Sequence, residues 1–401
     1  MNSKTCQTVI IVGAGPVGLV TASLLVEQGI AITLVEASGE LPRDLRASTF
    51  HPPTLDMLER FGVVGEMIEQ GLICPTWQFR DRKEGVVATF DLSFLKSDTN
   101  HPYRLQCEQW RLGELLYARL KANPLATFRF DTQAIAARQN AAGVELDLKT
   151  ETGDSETIRA NFLIGADGIS SVVRKAMGVT FDGITIPEIF LTISTTFDFR
   201  QAMPDIANIA YLSDPEQWFV LIRTARVWRA LFPVDPVLSD QELASPVRGQ
   251  KLLQSVLSRE QQYEILHQTG YRVHERVASS YVQGRILIAG DAAHVNNPLG
   301  GMGLNGGIHD AFNLSRTLVE VIRGAPLMDL ERYNRQRRQV ALDVVQQTTL
   351  RNRAILNARD PEARRAYYED LRQIAADPVK HRNYVMRTSM IQSLRDVEKI
   401  A

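Results

Sequence analysis

The stretch TVIIVGAGPVGLVTASLLVEQGIAITLVE, residues 8 to 36, limits what this chain can fold into more than any other segment. Thr8 to Val12 are apolar without alternation, as expected of a parallel strand buried on both faces. Gly13, Gly15 and Gly18 form a GxGxxG turn, and Val17 to Gln28 follow with helical spacing up to Gly29. Ala31 to Val35 make a second strand that ends on Glu36. This order is that of a dinucleotide-binding unit. Gly13 permits the tight turn, Gly15 lets a pyrophosphate reach the backbone, Gly18 packs helix on strand, and the helix N–H groups face the phosphates. Glu36 can accept hydrogen bonds from both ribose hydroxyls and would repel a 2′-phosphate, which favours FAD or NAD over NADP. The motif alone does not separate FAD from NAD.

Two further strands end in the same manner. Phe162 to Ala166 run into Asp167-Gly168, with Ser171 and Arg174 on the following helix turns. A plainer role for Asp167 is to cap that helix. Arg285 to Ala289 run into Gly290-Asp291, and the glycines then crowd as far as Gly307. In an open α/β sheet, ligands lie outside the carboxyl ends of the strands. Three such ends together imply one long ligand that meets them all.

Composition narrows the setting. The chain has 401 residues, 44% hydrophobic and 23% charged, long enough for two domains or one large domain with insertions. The net charge of −1 argues against a general nucleic-acid binder. Charge is uneven, however: from Glu331 to Ala401 there are 15 Lys and Arg against 9 Asp and Glu. Such a tail can attract a phosphate-bearing cosubstrate, or simply be a solvated helical surface. Cys6, Cys74 and Cys107 are scattered, giving no metal site and no disulfide framework, and fit a reducing compartment. Neither a signal peptide nor an apolar run long enough for a membrane span is expected, so the cytoplasm is the default location.

The three strand ends together resemble the FAD-dependent aromatic hydroxylases typified by para-hydroxybenzoate hydroxylase, single-component flavoprotein monooxygenases. The family's GxGxxG corresponds to Gly13, Gly15 and Gly18, and its DG motif to Asp167-Gly168 with Ser171 and Arg174. Its GD motif corresponds to Gly290-Asp291-Ala292-Ala293-His294, continued by Pro298, Gly300, Gly301, Gly303 and Asn305. The resemblance implies FAD as cofactor, with Asp291 on the ribityl chain and the glycines from Gly300 to Gly307 close to the flavin ring. A helix starting near Leu304 would aim its N-terminus at the pyrimidine carbonyl. His294 is read as structural. Arg46 stands where the family has an Arg on the FAD phosphates and flavin, and Gln106 where a flavin-contacting Gln often occurs; a surface Arg and a helix-start Gln are the plainer readings. Met302 and Leu304 depart from the residues frequent at their positions.

The implied architecture is α/β: a Rossmann-like FAD-binding domain, an inserted, mostly antiparallel β-sheet substrate domain, and a helical C-terminus. The expected boundaries are 1–75, 103–181 and 274–328 for the FAD domain, 76–102 and 182–273 for the substrate domain, and 329–401 for the C-terminal helices, broken near Asp360-Pro361 and Asp377-Pro378. Trp218 to Val234 read as a hairpin turning at RTARV. The C-terminal region either caps the chamber or forms a dimer contact.

The resemblance further implies hydroxylation of a small phenolic or heteroaromatic substrate with O₂ and NADH or NADPH, through a flavin hydroperoxide. The nicotinamide would bind only transiently, and no metal is required. A phenol needs partial deprotonation, for which Tyr211 is the candidate, with a half-buried sheet tyrosine as the alternative. Arg223 is the candidate clamp for a substrate carboxylate, with a surface arginine as the alternative. Trp218, Phe219 and Phe232 are expected either in the chamber wall or in the core. Other flavin oxidations of a larger natural product, such as N-hydroxylation or epoxidation, and a non-catalytic binding protein on the same fold are the competing readings.

Overall fold

The computed structural model describes residues 8–43, 47–358 and 360–400. A six-stranded sheet runs Val282–Gln283, Ile286–Ile288, Phe162–Gly165, Thr8–Val12, Ala31–Val35, Ala126–Arg129. All its pairings are parallel except that of the short edge strand Val282–Gln283. The three glycine-ended strands therefore lie side by side, their carboxyl ends on one edge. Val9, Ile10 and Ile11 are at most 2% exposed, as a strand covered on both faces requires. The helices Pro16–Glu27 and Met302–Ile322 pack against each other and the sheet. Gly13 has φ +104°, and a side chain there would strike the Ala166 carbonyl; one on Gly18 would strike the Gly13 carbonyl. First and third glycines are thus demanded by the protein's own packing.

An eight-stranded sheet stands beside the first. Its order is His294–Val295, Ile265–Ala278, Phe181–Thr195, Trp228–Val234, Phe219–Arg223, Ile209–Ser213, Thr76–Asp81, Gly85–Asp91. Neighbours are antiparallel save for Ile209–Ser213 on Thr76–Asp81. The hairpin is present, one residue shorter than expected, with Val220 opposite Leu231 and Thr224 N–H bonded to the Val227 carbonyl at 2.8 Å. Its alternation decides which side chains reach the site. Phe219, Leu221 and Phe232 pack outward with Trp228 and Leu253, while Val220, Ile222 and Leu231 face the cavity described below. Phe219 and Phe232 are therefore core residues. Trp218 packs edge-on against Phe190 and donates its indole N–H to Asn357, so it does not line the chamber either.

Between the two sheets, Thr49–Phe50, Arg104–Gln106 and Leu72–Cys74 form a small antiparallel sheet. A further antiparallel sheet, residues 132–160, is an addition to the expected elements; its central strand Val144–Thr150 alternates buried Val144, Leu146 and Leu148 with polar residues, whereas its outer strands are more polar and exposed. The C-terminal region is helical, with Asp360 accepting from Ala363 N–H and Asp377 from Val379 and Lys380 N–H at the two Asp-Pro breaks. Tyr384 stacks on Phe90 at 4.4 Å, so the helix Pro378–Thr388 closes over the far end of the large sheet. Much of the tail's charge is paired, Arg382 and Arg395 both with Asp98 and Arg353 with Glu188.

Behind the GD turn lies a buried ionic group. Asp310 accepts from Gly290 N–H at 3.1 Å, from His294 Nε2 at 2.8 Å and from Arg337 Nε at 2.6 Å. His294 thus positions the loop, as expected, rather than facing a ligand. Asp310→Ala would leave Arg337, 2% exposed, without its counter-ion. The expected loss is about 3–5 kcal/mol, read as a lower urea midpoint. A change below about 1 kcal/mol would show that the ion pair does not anchor the turn.

Candidate active site

A single cavity of about 620 Å³ runs from the glycine turn of the first sheet to the inner face of the second. Its nucleotide end is walled by Gly13, Gly15, Pro16 and Glu36, then Asp167, Gly168 and Asp291. Glu36 accepts from Ala14 N–H at 2.8 Å and Ser38 N–H at 3.0 Å, which fixes its carboxylate at the mouth of the turn. Beyond Gly15 a side chain would meet nothing within 4 Å, so this glycine, unlike its two neighbours in the motif, faces open space in the cradle. Asp167 does cap its helix, accepting from Val172 N–H at 2.8 Å and Val173 N–H at 3.2 Å, and it lines the cavity as well. Its Oδ1 is buried without a partner, and burial raises the carboxyl pKa. Arg174 ties this turn to the GD turn through the Ala292 carbonyl at 2.9 Å.

The middle of the cavity is walled by Thr49 and by Pro298 to Leu304. Gly300 and Gly301 have φ of +103° and +67°, which bends the chain back before the helix begins at Met302, two residues earlier than expected. The positive end of that helix, at Met302, Gly303 and Leu304, lines the cavity. Two predicted cofactor residues act from behind. Asn305 donates to the Thr49 and Gly301 carbonyls and accepts from His51 N–H, clasping the loop. Gln106 is fully buried and bonds Ser48 and Thr49 hydroxyls; it shapes the wall without lining it, because its strand turns that side chain toward the Ser48–Thr49 segment. Arg46 lies outside the described residues.

The far end is a chamber of Ile209, Val220, Ile222, Leu231, Val273 and Leu299, with Tyr211, Tyr271 and Thr192 as polar members. Tyr211 is 6% exposed, lies against Phe79, and accepts the Gly300 N–H at 3.0 Å. The chamber is thereby joined to the glycine loop. Arg223 does not line it: the strand places Val220 and Ile222 inward and Arg223 on the alternate face. The arginines in the wall are instead Arg104, Arg229 and Arg272, none singled out from sequence. Arg229 is paired with Glu108 at 2.6 Å. For Arg104 the only sequence signal was a charge on a three-residue strand that proves wholly buried.

Residues 6–348 match the family model described as FAD binding domain. That span covers both sheets and every strand end described above. The chain belongs to the FAD-dependent aromatic hydroxylase family. It is 32% identical over 401 residues to para-nitrophenol 4-monooxygenase of Pseudomonas sp. strain WBC-3, covering 99% of this chain and 98% of the relative. It is 33% identical over 342 residues to 6-hydroxy-3-succinoylpyridine 3-monooxygenase of Pseudomonas putida strain S16, covering 84% and 86%. The crystal structure of p-nitrophenol 4-monooxygenase from Pseudomonas putida DLL-E4 superposes with a TM-score of 0.90 at 29% identity, over 97% of this chain and 98% of that one. This member of the family is a flavoprotein monooxygenase with FAD as its cofactor. The site fits FAD on its own terms: an open cradle at Gly15, an unpartnered buried oxygen on Asp167, acids at three strand ends and a helix N-terminus farther along. No helix among the described residues is long and apolar enough to cross a membrane, and none of their His, Cys, Asp and Glu side chains cluster to hold a metal ion.

Proposed function

We propose that this monooxygenase hydroxylates a small phenolic or heteroaromatic ring, drawing electrons from NADH or NADPH and oxygen from O₂. The carrying observation is the continuity of the cavity: the chamber bounded by Tyr211 and Leu299 opens directly onto the Pro298–Leu304 loop at which the nucleotide end arrives. The phenol and hydroxypyridine chemistry in the names of its two relatives supports the same class. Bound FAD supplies the reducible, oxygen-activating ring. The residues that would hold it are Gly13 to Pro16, Glu36, Asp167, Asp291 and the loop Pro298–Leu304.

The protein's own share is to bind, orient and keep water out. Apolar side chains of the large sheet take the ring of the substrate. Tyr211 accepts the Gly300 N–H and keeps its own O–H to donate, so it can hold the oxygen of a phenolic substrate and relay its proton. The helix end at Met302 favours negative charge on the nearest face of the cofactor. No fixed dinucleotide motif remains for the nicotinamide, consistent with a transient visitor.

The test is nicotinamide oxidation by the FAD-loaded protein in air, with NADH and NADPH in parallel, against a panel of phenols and hydroxypyridines. At least one ring should raise the rate about tenfold or more over the idle rate. No stimulation by any member of a broad panel would count against the substrate class.

A further inference from the structure

The hydroxyl of Tyr211 is aimed from outside the chamber, an inference that rests on the role given to Tyr211 above. We propose that His51 is a positioning residue for the reaction. As the neutral Nε2–H tautomer it fixes the Gly300 carbonyl, and through Gly300 it holds the Tyr211 hydroxyl with its hydrogen toward the substrate. His51 is fully buried and does not line the cavity. It follows the short strand Thr49–Phe50, and its Nε2 lies 2.8 Å from the Gly300 carbonyl oxygen. The same glycine donates its N–H to the Tyr211 hydroxyl at 3.0 Å. One residue of the loop is thus tied to the small sheet by its carbonyl and to the large sheet by its N–H.

Gly300 needs both ties. Its φ of +103° is open to glycine, the residue with the most backbone freedom to lose. Held by one hydrogen bond alone, such a residue can still turn about its own Cα. With the carbonyl fixed as well, the direction of the N–H is set. Arg104 stands within hydrogen-bonding reach of the same tyrosine oxygen. A phenolic hydroxyl donates one hydrogen and accepts through its lone pairs, so two donors at the oxygen leave that hydrogen for the chamber, which Tyr211 lines.

The tautomer of His51 follows from its partner. A carbonyl only accepts, so Nε2 carries the hydrogen. Nδ1 is buried without a partner, and a hydrogen there would be an unmet donor in the core. Burial is the main cause that pushes His51 well below the usual histidine range, and Arg104 and His309 act in the same sense. His309 is itself pushed down to about 3, chiefly by burial. The ring is therefore a fixed neutral donor, able to orient Gly300 without exchanging a proton.

Two measurements on the FAD-loaded protein test this. The first is long-range ¹H–¹⁵N NMR of histidine-labelled protein, with the His51 signals assigned from their loss in His51→Gln. It should show hydrogen on Nε2 and a bare Nδ1, unchanged between about pH 6 and pH 9. Hydrogen on Nδ1, or a ring that charges in this range, overturns the proposal without any turnover. The second is a double-mutant cycle with the most stimulating ring of the panel. His51→Leu should lower kcat for product about tenfold, the scale of one unmade buried hydrogen bond, with FAD content and the KM for nicotinamide unchanged. Glutamine places its Nε2 where the imidazole Nε2 stands, so His51→Gln should return kcat to within about threefold of wild type. His51→Asn, whose amide stops short of Gly300, should not. In a Tyr211→Phe background His51→Leu should cost nothing further. Losses that add, a glutamine variant as slow as the leucine one, or His51→Leu with wild-type kcat overturn the part of His51 and leave the hydroxylase reading in place. Tyr211→Phe at the wild-type rate overturns the roles of both residues, and failure of every ring overturns the hydroxylase reading with them. If circular dichroism shows His51→Leu unfolded, the tautomer and the comparison of His51→Gln with His51→Asn decide.

Discussion

Gly15→Val yields a folded protein without flavin. The backbone at this position is extended, with φ −70° and ψ 174°, so valine takes it without strain. A Cβ would meet no protein atom within 4 Å. The substitution therefore costs the apoprotein little, and the branched side chain occupies the cradle where the pyrophosphate approaches the helix N-terminus. FAD affinity should fall on the order of 100-fold, about 2.7 kcal/mol. The control is Gly18→Val, whose side chain collides with the Gly13 carbonyl and should lower the melting temperature as well. The ratio of flavin to protein after gel filtration, beside a thermal melt, separates the two effects. A yellow Gly15→Val protein with unchanged affinity would remove the pyrophosphate from this turn.

Asp291→Ala should likewise leave a folded protein that purifies largely colourless. Asp291 sits on the short turn Gly290–Ala292, is exposed, and lines the cavity, so truncating it opens no hole in the core. A charge-assisted hydrogen bond to the cofactor contributes about 1.5–3 kcal/mol, which predicts a loss of FAD affinity of roughly 10- to 150-fold. Retention of a full complement of FAD would deny Asp291 its role. The matching change at Asp167 has a mixed outcome, because that carboxylate also caps the helix Val172–Ala176 and its loss costs about 1 kcal/mol of stability besides.

Backbone requirements are what a sequence displays best. Gly13, Gly300 and Gly301 are demanded by positive φ and Gly18 by the nearby Gly13 carbonyl, requirements of local turns that glycine spacing displays, and the three strand ends announce themselves through unbroken apolar runs before an acid or a glycine turn. Tyr211 is singled out by chemistry, a tyrosine near the start of the hairpin where a phenol would need a base, and the sheet brings it into the cavity wall. The hairpin itself was visible, yet which face looked inward was not: both faces of its strands are apolar, since both are covered. That one ambiguity leaves Phe219 and Phe232 undecided between chamber wall and core and makes Arg223 a candidate although its side of the strand faces away from the cavity. Gln106 and Asn305 show a second limit. Both lie at the cofactor wall, and only their hydrogen bonds to Thr49, His51 and Gly301 reveal that they hold the wall from behind. Arg104 is likewise silent in the sequence: its place in the cavity wall, against the Thr388 carbonyl, exists only once distant strands and the C-terminal helix are assembled.

The central claim is the transfer of one atom of O₂ to an aromatic ring held beside the Pro298–Leu304 loop. The most direct measurement is mass spectrometry of the product formed by the FAD-loaded protein with a nicotinamide, the most stimulating phenol of the panel, and ¹⁸O₂ in unlabelled water. The product should gain a single ¹⁸O on the ring, and Tyr211→Phe should slow its formation while leaving FAD bound. A product bearing ¹⁶O from water, or nicotinamide oxidation that yields peroxide alone with every ring tested, would contradict it.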